Sequence, residues 1–373
     1  MKIGINTFGC NHGRSGIGSY ILSLVKNLPK RTHEFQLFGH ELDKYTYTSD
    51  VDHITFQGID IADTNFSEKL WHLKDLNSFI KKQKYDAVIY PAGISLLPPS
   101  FAVPSVLVIQ SLLSEDLGTI AKLNLKRILK STAGIISPSD FIKRDLVRFG
   151  IPESKIKVIY NGIDTNLFKP ISKDDCETVV IQPFSIRKPY IIYASQITNA
   201  KKCHIELVEA FSIFKKKYKT AHRLVLAGAD GGFSQNVHSA VLRSGFSSDI
   251  LLTGHFPHES LAKLYASADL CVFPSMVEGV GLAVIEAVAC GIPTACAKAG
   301  AIPEIVGEPA EYFNPKKTEE VAEIIAGLVN LPENTEKREN AVKKGLEWVK
   351  RYNWQKTALQ TLDYINLIIG GIV

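Results

Sequence analysis

A chain of 373 residues is too long for one small domain and suits two. With 45% hydrophobic and 22% charged residues it has the composition of an ordinary globular protein, and no low-complexity segment interrupts it. A net charge of +5 is too small and too dispersed to argue for nucleic acid, and no apolar run is long enough to span a bilayer.

The opening MKIGINTFG lacks the apolar core and cleavage site of a signal peptide. It reads as a buried first strand, and a cytoplasmic protein is expected. Short apolar runs at 3–8, 35–38, 87–90, 105–109, 134–137 and 156–160 predict strands. Amphipathic stretches at 17–28, 68–82 and 139–149 predict helices between them. Residues 170–189 are polar, charged and proline-bearing without a clear period, which predicts a linker. The alternation then restarts. Strands are expected at 190–194, 223–227, 250–252, 270–273 and 293–297, and helices at 205–218, 259–268 and 281–290. A last amphipathic helix is expected at 354–369.

Strand–helix alternation predicts mostly parallel sheets with helices on both faces, and the restart predicts two such domains. The expected division is 1–175 for an N-terminal domain, with the terminal helix 354–373 packing back on it, and 176–353 for a C-terminal domain. Doubly wound sheets bind ligands at the carboxyl ends of their strands, so two facing domains would share a central cleft. The six cysteines have neither CxxC nor zinc spacing. Cys271, Cys290 and Cys296 stand in apolar stretches, as buried reduced thiols do. The triplet Asp50–Val51–Asp52 follows no buried strand and reads as a surface loop.

The stretch LCVFPSMVEGVGLAVIEAVACGIP, residues 270–293, carries the chemistry. A buried strand ends at Phe273, and Pro274 and Ser275 open a loop that holds Glu278. Gly279, Val280 and Gly281 follow, and a helix then runs to Gly291. Glycines at a helix start let backbone approach a ligand closely. The unpaired N–H groups of the first turn and the macrodipole favour an anion, so a diphosphate is a natural occupant. Glu286 lies in an otherwise apolar helix and needs partners, either ribose hydroxyls or a nearby Lys or Arg. Glu278 taken alone also reads as an ordinary loop carboxylate.

Together these residues resemble the family-four retaining glycosyltransferases of GT-B fold. That family's two glutamates, separated by seven residues, stand here as Glu278 and Glu286 inside the PSxxEGxGLxxxEAxAxGxP context. Gly300–Ala301–Ile302–Pro303–Glu304 and Gly307 are similar to its GGIPEVVG segment. Ser15–Gly16–Ile17–Gly18–Ser19–Tyr20 is similar to its GGIGxY loop, with Ser15 in place of the first glycine. Tyr160–Asn161–Gly162–Ile163–Asp164, with Phe168 and Pro170, is similar to its NGVDxxxFxP motif, although an Asn-Gly turn accounts for it equally well. Lys202 falls on the family's donor-phosphate lysine and Gln196 on its arginine. Gln110 and Ser111 stand where many relatives place a His, often followed by Asp. Gln110 can hydrogen-bond a sugar hydroxyl but cannot act as a base. The neighbouring Glu115–Asp116 reads as a solvated loop.

The resemblance implies an α/β protein of two Rossmann-like domains, the second binding a nucleotide-diphosphate sugar. It implies that Glu278 meets the transferred sugar and Glu286 the ribose. Backbone N–H groups of Gly279, Val280, Gly281 and Leu282 would face the donor. Lys202 and Gln196 would meet its phosphates, and the Gly16 loop would close over them. It implies a UDP-, GDP- or ADP-sugar donor, no metal, and transfer to a glycan, lipid-linked or small-molecule hydroxyl in polysaccharide or glycolipid synthesis. Gln110 and Gln196 leave open a protein that binds a nucleotide sugar without transferring it, and an epimerase of similar fold is the other alternative. Lys122, Lys126, Arg127 and Lys130 interleave with Leu123, Leu125, Ile128 and Leu129. That pattern reads either as a membrane-surface helix at the inner face or as an ordinary solvated helix.

Overall fold

The computed structural model describes residues 1–30, 33–111, 118–171, 178–329 and 331–371. It divides into two compact units, Met1–Gly162 with Tyr352–Val373, and Ile163–Arg351. Among the described residues, the first unit contains β1 (Lys2–Asn6), β2 (Glu34–His40), β3 (Ile54–Ile59), β4 (Ala87–Tyr90), β5 (Ser105–Val108), β6 (Gly134–Ser137) and β7 (Ile156–Val158). They form one parallel sheet in the order β3-β2-β1-β4-β5-β6-β7.

Side chains alternate across this sheet with a period of two, so each strand feeds two cores. Ile3, Ile5, Ala87, Ile89, Val106 and Val108 face one layer, with Ile21, Leu24 and Val25 of the helix Gly16–Asn27. Val88, Tyr90, Leu107 and Ile109 face the other, with Ile80, Ile142 and Leu146. The last helix, Trp354–Ile369, completes the first layer through Trp354, Ala358, Leu362 and Ile365. Thr357 Oγ1 donates to the Tyr160 carbonyl at 2.7 Å, and Tyr364 Oη to that of Lys155 at 2.8 Å. A Cβ on Gly162 would fall 2.3 Å from the Trp354 nitrogen, so the Asn-Gly pair serves the docking of this helix.

Two expectations are corrected here. The helix expected over 68–82 is two helices, Asn65–Lys74 and Leu76–Gln83, separated at Asp75 with φ of −110°. Asp competes with the helix backbone for hydrogen bonds and favours such breaks. The linker expected over 170–189 contains an antiparallel hairpin, β8 (Thr178–Ile181) and β9 (Phe184–Arg187). Val179, Ile181 and Ile186 turn inward and bury, which gives these polar strands one apolar face.

The second unit repeats the topology of the first. Its parallel sheet holds β10 (Tyr190–Ala194), β11 (Arg223–Ala227), β12 (Ile250–Gly254), β13 (Leu270–Phe273), β14 (Thr294–Ala297) and β15 (Glu311–Phe313), in the order β12-β11-β10-β13-β14-β15. Phe168 packs edge-on to His258 and lies 6.4 Å from the Tyr265 ring, so the segment after Gly162 belongs with this unit. In each sheet the winding direction reverses beside the first strand, between β1 and β4 and between β10 and β13. Such reversals open a crevice at the carboxyl ends of the two strands. Cys10, Cys203, Cys271, Cys290 and Cys296 are free buried thiols, and Cys176 lies outside the described residues. Among the described residues, no helix is long and apolar enough to cross a membrane.

Candidate functional site

The crevice of the second sheet gathers most of the expected site. β10 and β13 are neighbours, with Ile191 opposite Leu270 and Ile192 opposite Cys271. The loop after β10 carries Gln196 and Lys202, and the loop after β13 carries Glu278. These loops are tied together by the Met276 N–H, which donates to the Lys201 carbonyl at 2.9 Å. Tyr193 lies beneath them, 4.7 Å from the His204 ring and 5.2 Å from the Phe273 ring. Its hydroxyl donates to the Lys202 carbonyl at 2.9 Å and fixes the backbone from which the lysine projects. His204 Nε2 lies 3.3 Å from the Ser195 carbonyl at the start of the same loop. Burial lowers the pKa of His204 to about 4, so it donates there as a neutral ring.

Lys202 Nζ lies 3.3 Å from both oxygens of Glu278. The two side chains are each about 20% exposed, so the pair is partly desolvated. Desolvation raises the Glu278 pKa and the lysine charge opposes that rise. The Ala301 N–H donates to the Glu278 carbonyl at 2.8 Å, so the segment beginning at Gly300 braces the Glu278 backbone. Gly281 then turns the chain into the helix Leu282–Ala289 with a φ of +69°, a conformation that favours glycine.

Glu286 stands one turn into that helix, four residues after Leu282 and on the same face. It is 8% exposed, and among the described residues its carboxyl group has no hydrogen-bond or ion-pair partner, its backbone carbonyl accepting from the Cys290 N–H at 3.0 Å as helix geometry requires. Burial alone raises its pKa to about 8. The Lys or Arg neighbour that the sequence left open for Glu286 is not found among the described residues. Lys202 pairs with Glu278 instead.

Gly16 and Gln110 belong to the first unit. Gly16 opens the helix Gly16–Asn27, and Ser15 caps it, accepting from the Gly18 N–H at 3.1 Å. The serine in place of the family's first glycine therefore supplies a cap. Gln110 follows β5, and its Nε2 is buried without a hydrogen-bond partner among the described residues. Gln196 is exposed. Glu115–Asp116 lies outside the described residues. Asp52 pairs with Lys30 at 2.8 Å on the surface, in keeping with a loop at 50–52. From the sequence alone, Tyr193 and His204 carry no assigned role. Their signal is an aromatic inside a fully apolar strand and a His at the first position of the following helix.

Two family models tile the chain. "Glycosyltransferase Family 4" matches residues 14–167 and "Glycosyl transferases group 1" matches residues 179–348. The chain belongs to glycosyltransferase family 4. O-antigen chain mannosyltransferase B of Escherichia coli is 27% identical over 66% of this chain and 63% of its own length. The sulfoquinovosyl transferase of Arabidopsis thaliana is 29% identical over 58% of this chain and 41% of its own. The aligned regions thus span less than two thirds of these relatives. Among solved structures, sucrose-phosphate synthase of Thermosynechococcus elongatus superposes with a TM-score of 0.76 at 19% identity, covering 100% of both chains. Anabaena HepE in complex with UDP-glucose superposes at 0.75 with 20% identity, covering 98% of this chain and 99% of its own. These likenesses establish the GT-B fold of two Rossmann-like domains.

Proposed function

We propose that this family-four chain is a retaining glycosyltransferase that moves a sugar from a nucleotide-diphosphate sugar to an acceptor hydroxyl. The observation that carries the reading is the partnerless buried Glu286 behind a glycine-led helix start, beside the Lys202–Glu278 pair. In this reading the ribose hydroxyls donate to Glu286 and relieve its isolation. The diphosphate meets the N–H groups of Gly279, Val280, Gly281 and Leu282. Arrival of the donor opens the Lys202–Glu278 pair. Lys202 turns to the phosphates, and Glu278 accepts from hydroxyls of the transferred sugar. Gln196 hydrogen-bonds the phosphates without offsetting their charge. Gln110 offers its unpartnered amide to a sugar hydroxyl.

The bond from the anomeric carbon to the phosphate oxygen breaks as the acceptor oxygen bonds to the same face. The acceptor's proton passes to a phosphate oxygen, and the nucleoside diphosphate leaves. The protein supplies position and charge stabilisation, with Lys202 and helix N–H groups in the place a divalent metal would take. The UDP-glucose complex of Anabaena HepE supports a nucleotide-sugar donor, which this reading takes to be a UDP-, GDP- or ADP-sugar. The acceptor fits a glycan, a lipid-linked glycan or a small molecule.

A thermal-shift panel of UDP, GDP, ADP and their sugars is expected to single out one nucleotide. Incubation with that nucleotide's sugars should then release nucleoside diphosphate at a rate that chelator leaves unchanged. Stabilisation without release would convert the reading to a binding protein, the outcome that Gln110 and Gln196 favour. No response to any nucleotide would end it.

Membrane contact belongs to the same proposal. The helix Thr119–Ser131 exposes Ile120 and Leu123 beside Arg127 and Lys130. Apolar side chains flanked by cations suit an anionic lipid surface, at the inner face of a membrane where a lipid-linked acceptor lies. Flotation should recover the protein with anionic vesicles and not with neutral ones. Equal recovery from both would remove the electrostatic claim.

A further inference from the structure

The first unit carries a second cluster of chemical groups, at the carboxyl ends of β1, β2 and β3. His40 ends β2, Asp63 lies in the loop after β3, and Glu68 is on the helix Asn65–Lys74. His40 Nε2 is 2.9 Å from Glu68 Oε1 and 3.5 Å from Asp63 Oδ1. One ligand atom from each of the three lies within 4.8 Å of the others. Oxygen and nitrogen ligands held ~2.0–2.2 Å from a cation stand about 3–3.5 Å apart, so the two His40 separations already fit one ion and the Asp63 and Glu68 oxygens, within 4.8 Å of each other, would draw in around it.

The groups behind them are arranged as supports for ligands. His12 Nε2 reaches the other oxygen of Asp63 at 3.1 Å, and His12 Nδ1 is held at 2.6 Å by Asp43. Asp43 is itself buried, its side chain 3% exposed. The exposed carboxylate of Asp63 is thus aimed by a relay that ends in a buried acid, the kind of outer contact that orients metal ligands. A cavity of about 190 Å³ is lined by His12, His40, Asp43, Asp63 and Glu68. A second cavity, of about 620 Å³, shares His12, Asp43 and Asp63 and adds Arg14 and Thr46. Three carboxylates meet here with two imidazoles, and a cation would offset that charge.

We propose that His40, Asp63 and Glu68 bind one divalent first-row cation, zinc or manganese, with its remaining positions open to the cavity of about 190 Å³ that all three line. One nitrogen and two carboxylates suit those ions better than calcium, which takes oxygen alone. The site belongs to the first unit, whereas Lys202 and Glu278, proposed for donor transfer, belong to the second. Its cation joins the end of β2 to the loop and helix after β3, and it offers a Lewis-acidic face to a ligand oxygen.

Calorimetric titration of chelator-stripped full-length protein with Zn²⁺, Mn²⁺, Mg²⁺ and Ca²⁺ tests this. One equivalent of Zn²⁺ or Mn²⁺ is expected, with the affinity reduced tenfold or more in Asp63→Asn and in His40→Gln. His12→Gln should lose about tenfold through the support alone. Glu278→Gln should bind the ion as the wild type does. Asp63 is half exposed, so its variant folds even if His40→Gln does not. Co²⁺ should give the visible bands of a low-coordinate site in the wild type and lose them in Asp63→Asn. No heat from either ion, or unchanged affinity in Asp63→Asn, would overturn the proposal.

Discussion

Lys202→Ala is expected to lower kcat/KM by 100- to 1000-fold, about 3–4 kcal/mol of transition-state stabilisation. The argument rests on where the charge sits. Lys202 is the cation seen against Glu278 at the crevice between β10 and β13, and its backbone is pinned by Tyr193 and by Met276. A leaving diphosphate gains negative charge as the glycosidic bond breaks, and a positioned ammonium in a partly desolvated crevice offsets it. Gln196 is neutral, so in the proposed mechanism this lysine would carry the task without the arginine that the family resemblance implies. The loss should fall on kcat more than on KM, because the charge develops after binding. The exposed neighbour gives the control. Lys201→Ala removes a charge of the same sign from the same turn and should stay near wild type. Steady-state rates of nucleoside diphosphate release decide it, and a Lys202→Ala variant within threefold of wild type would remove the lysine from the mechanism.

The second large effect is a pH dependence of stability that belongs to Glu286. Burial raises its pKa from 4.5 to about 8, so the folded chain holds a proton that the unfolded chain releases. The stability this proton provides is fully present below pH 4.5 and is lost as pH rises through about 8. Glu286→Gln cannot titrate and should be flat over that window. In urea unfolding without ligand, the wild type should lose ~3 kcal/mol relative to Glu286→Gln between pH 5 and pH 8. A parallel pair of curves would show that the carboxyl is not isolated in the way the structure places it. Donor binding turns the same effect around. In the proposed donor complex, ribose hydroxyls would favour the ionised carboxylate and lower its pKa, so binding at pH 7 would release a proton. Affinity for the nucleotide should therefore rise with pH up to about 8. Calorimetry in two buffers of different ionisation heat measures that proton directly.

The fold was most legible where strands are buried on both faces. The runs at 87–90, 134–137, 190–194, 223–227 and 270–273 are continuous apolar segments, and the strands occupy those residues. β3 was missed because Gln57 and Gly58 dilute an edge strand in which only Ile54 is fully buried, and β15 because three residues are too few to show a period. The hairpin of β8 and β9 hid behind Pro183 and Pro189, which read as punctuation. Glu278 and Glu286 could be singled out because one loop and one helix carry both. The pairing of Lys202 with Glu278 spans 76 residues and follows from β10 lying beside β13, which no local pattern encodes. The cluster of His40, Asp63 and Glu68 is assembled the same way, from the ends of successive strands, and leaves no motif.

The helix Trp354–Ile369 sets an order of synthesis. The apolar layer over Ile3, Ile5 and Ile89 is closed by residues made only after the whole of the second unit has been translated. The second unit is one continuous stretch of chain and can reach its native contacts first. The first unit waits, with a half-covered sheet, until Trp354 arrives beside Gly162. A nascent chain stalled before residue 352 therefore presents an open apolar face, the kind of surface that chaperones hold and proteases find.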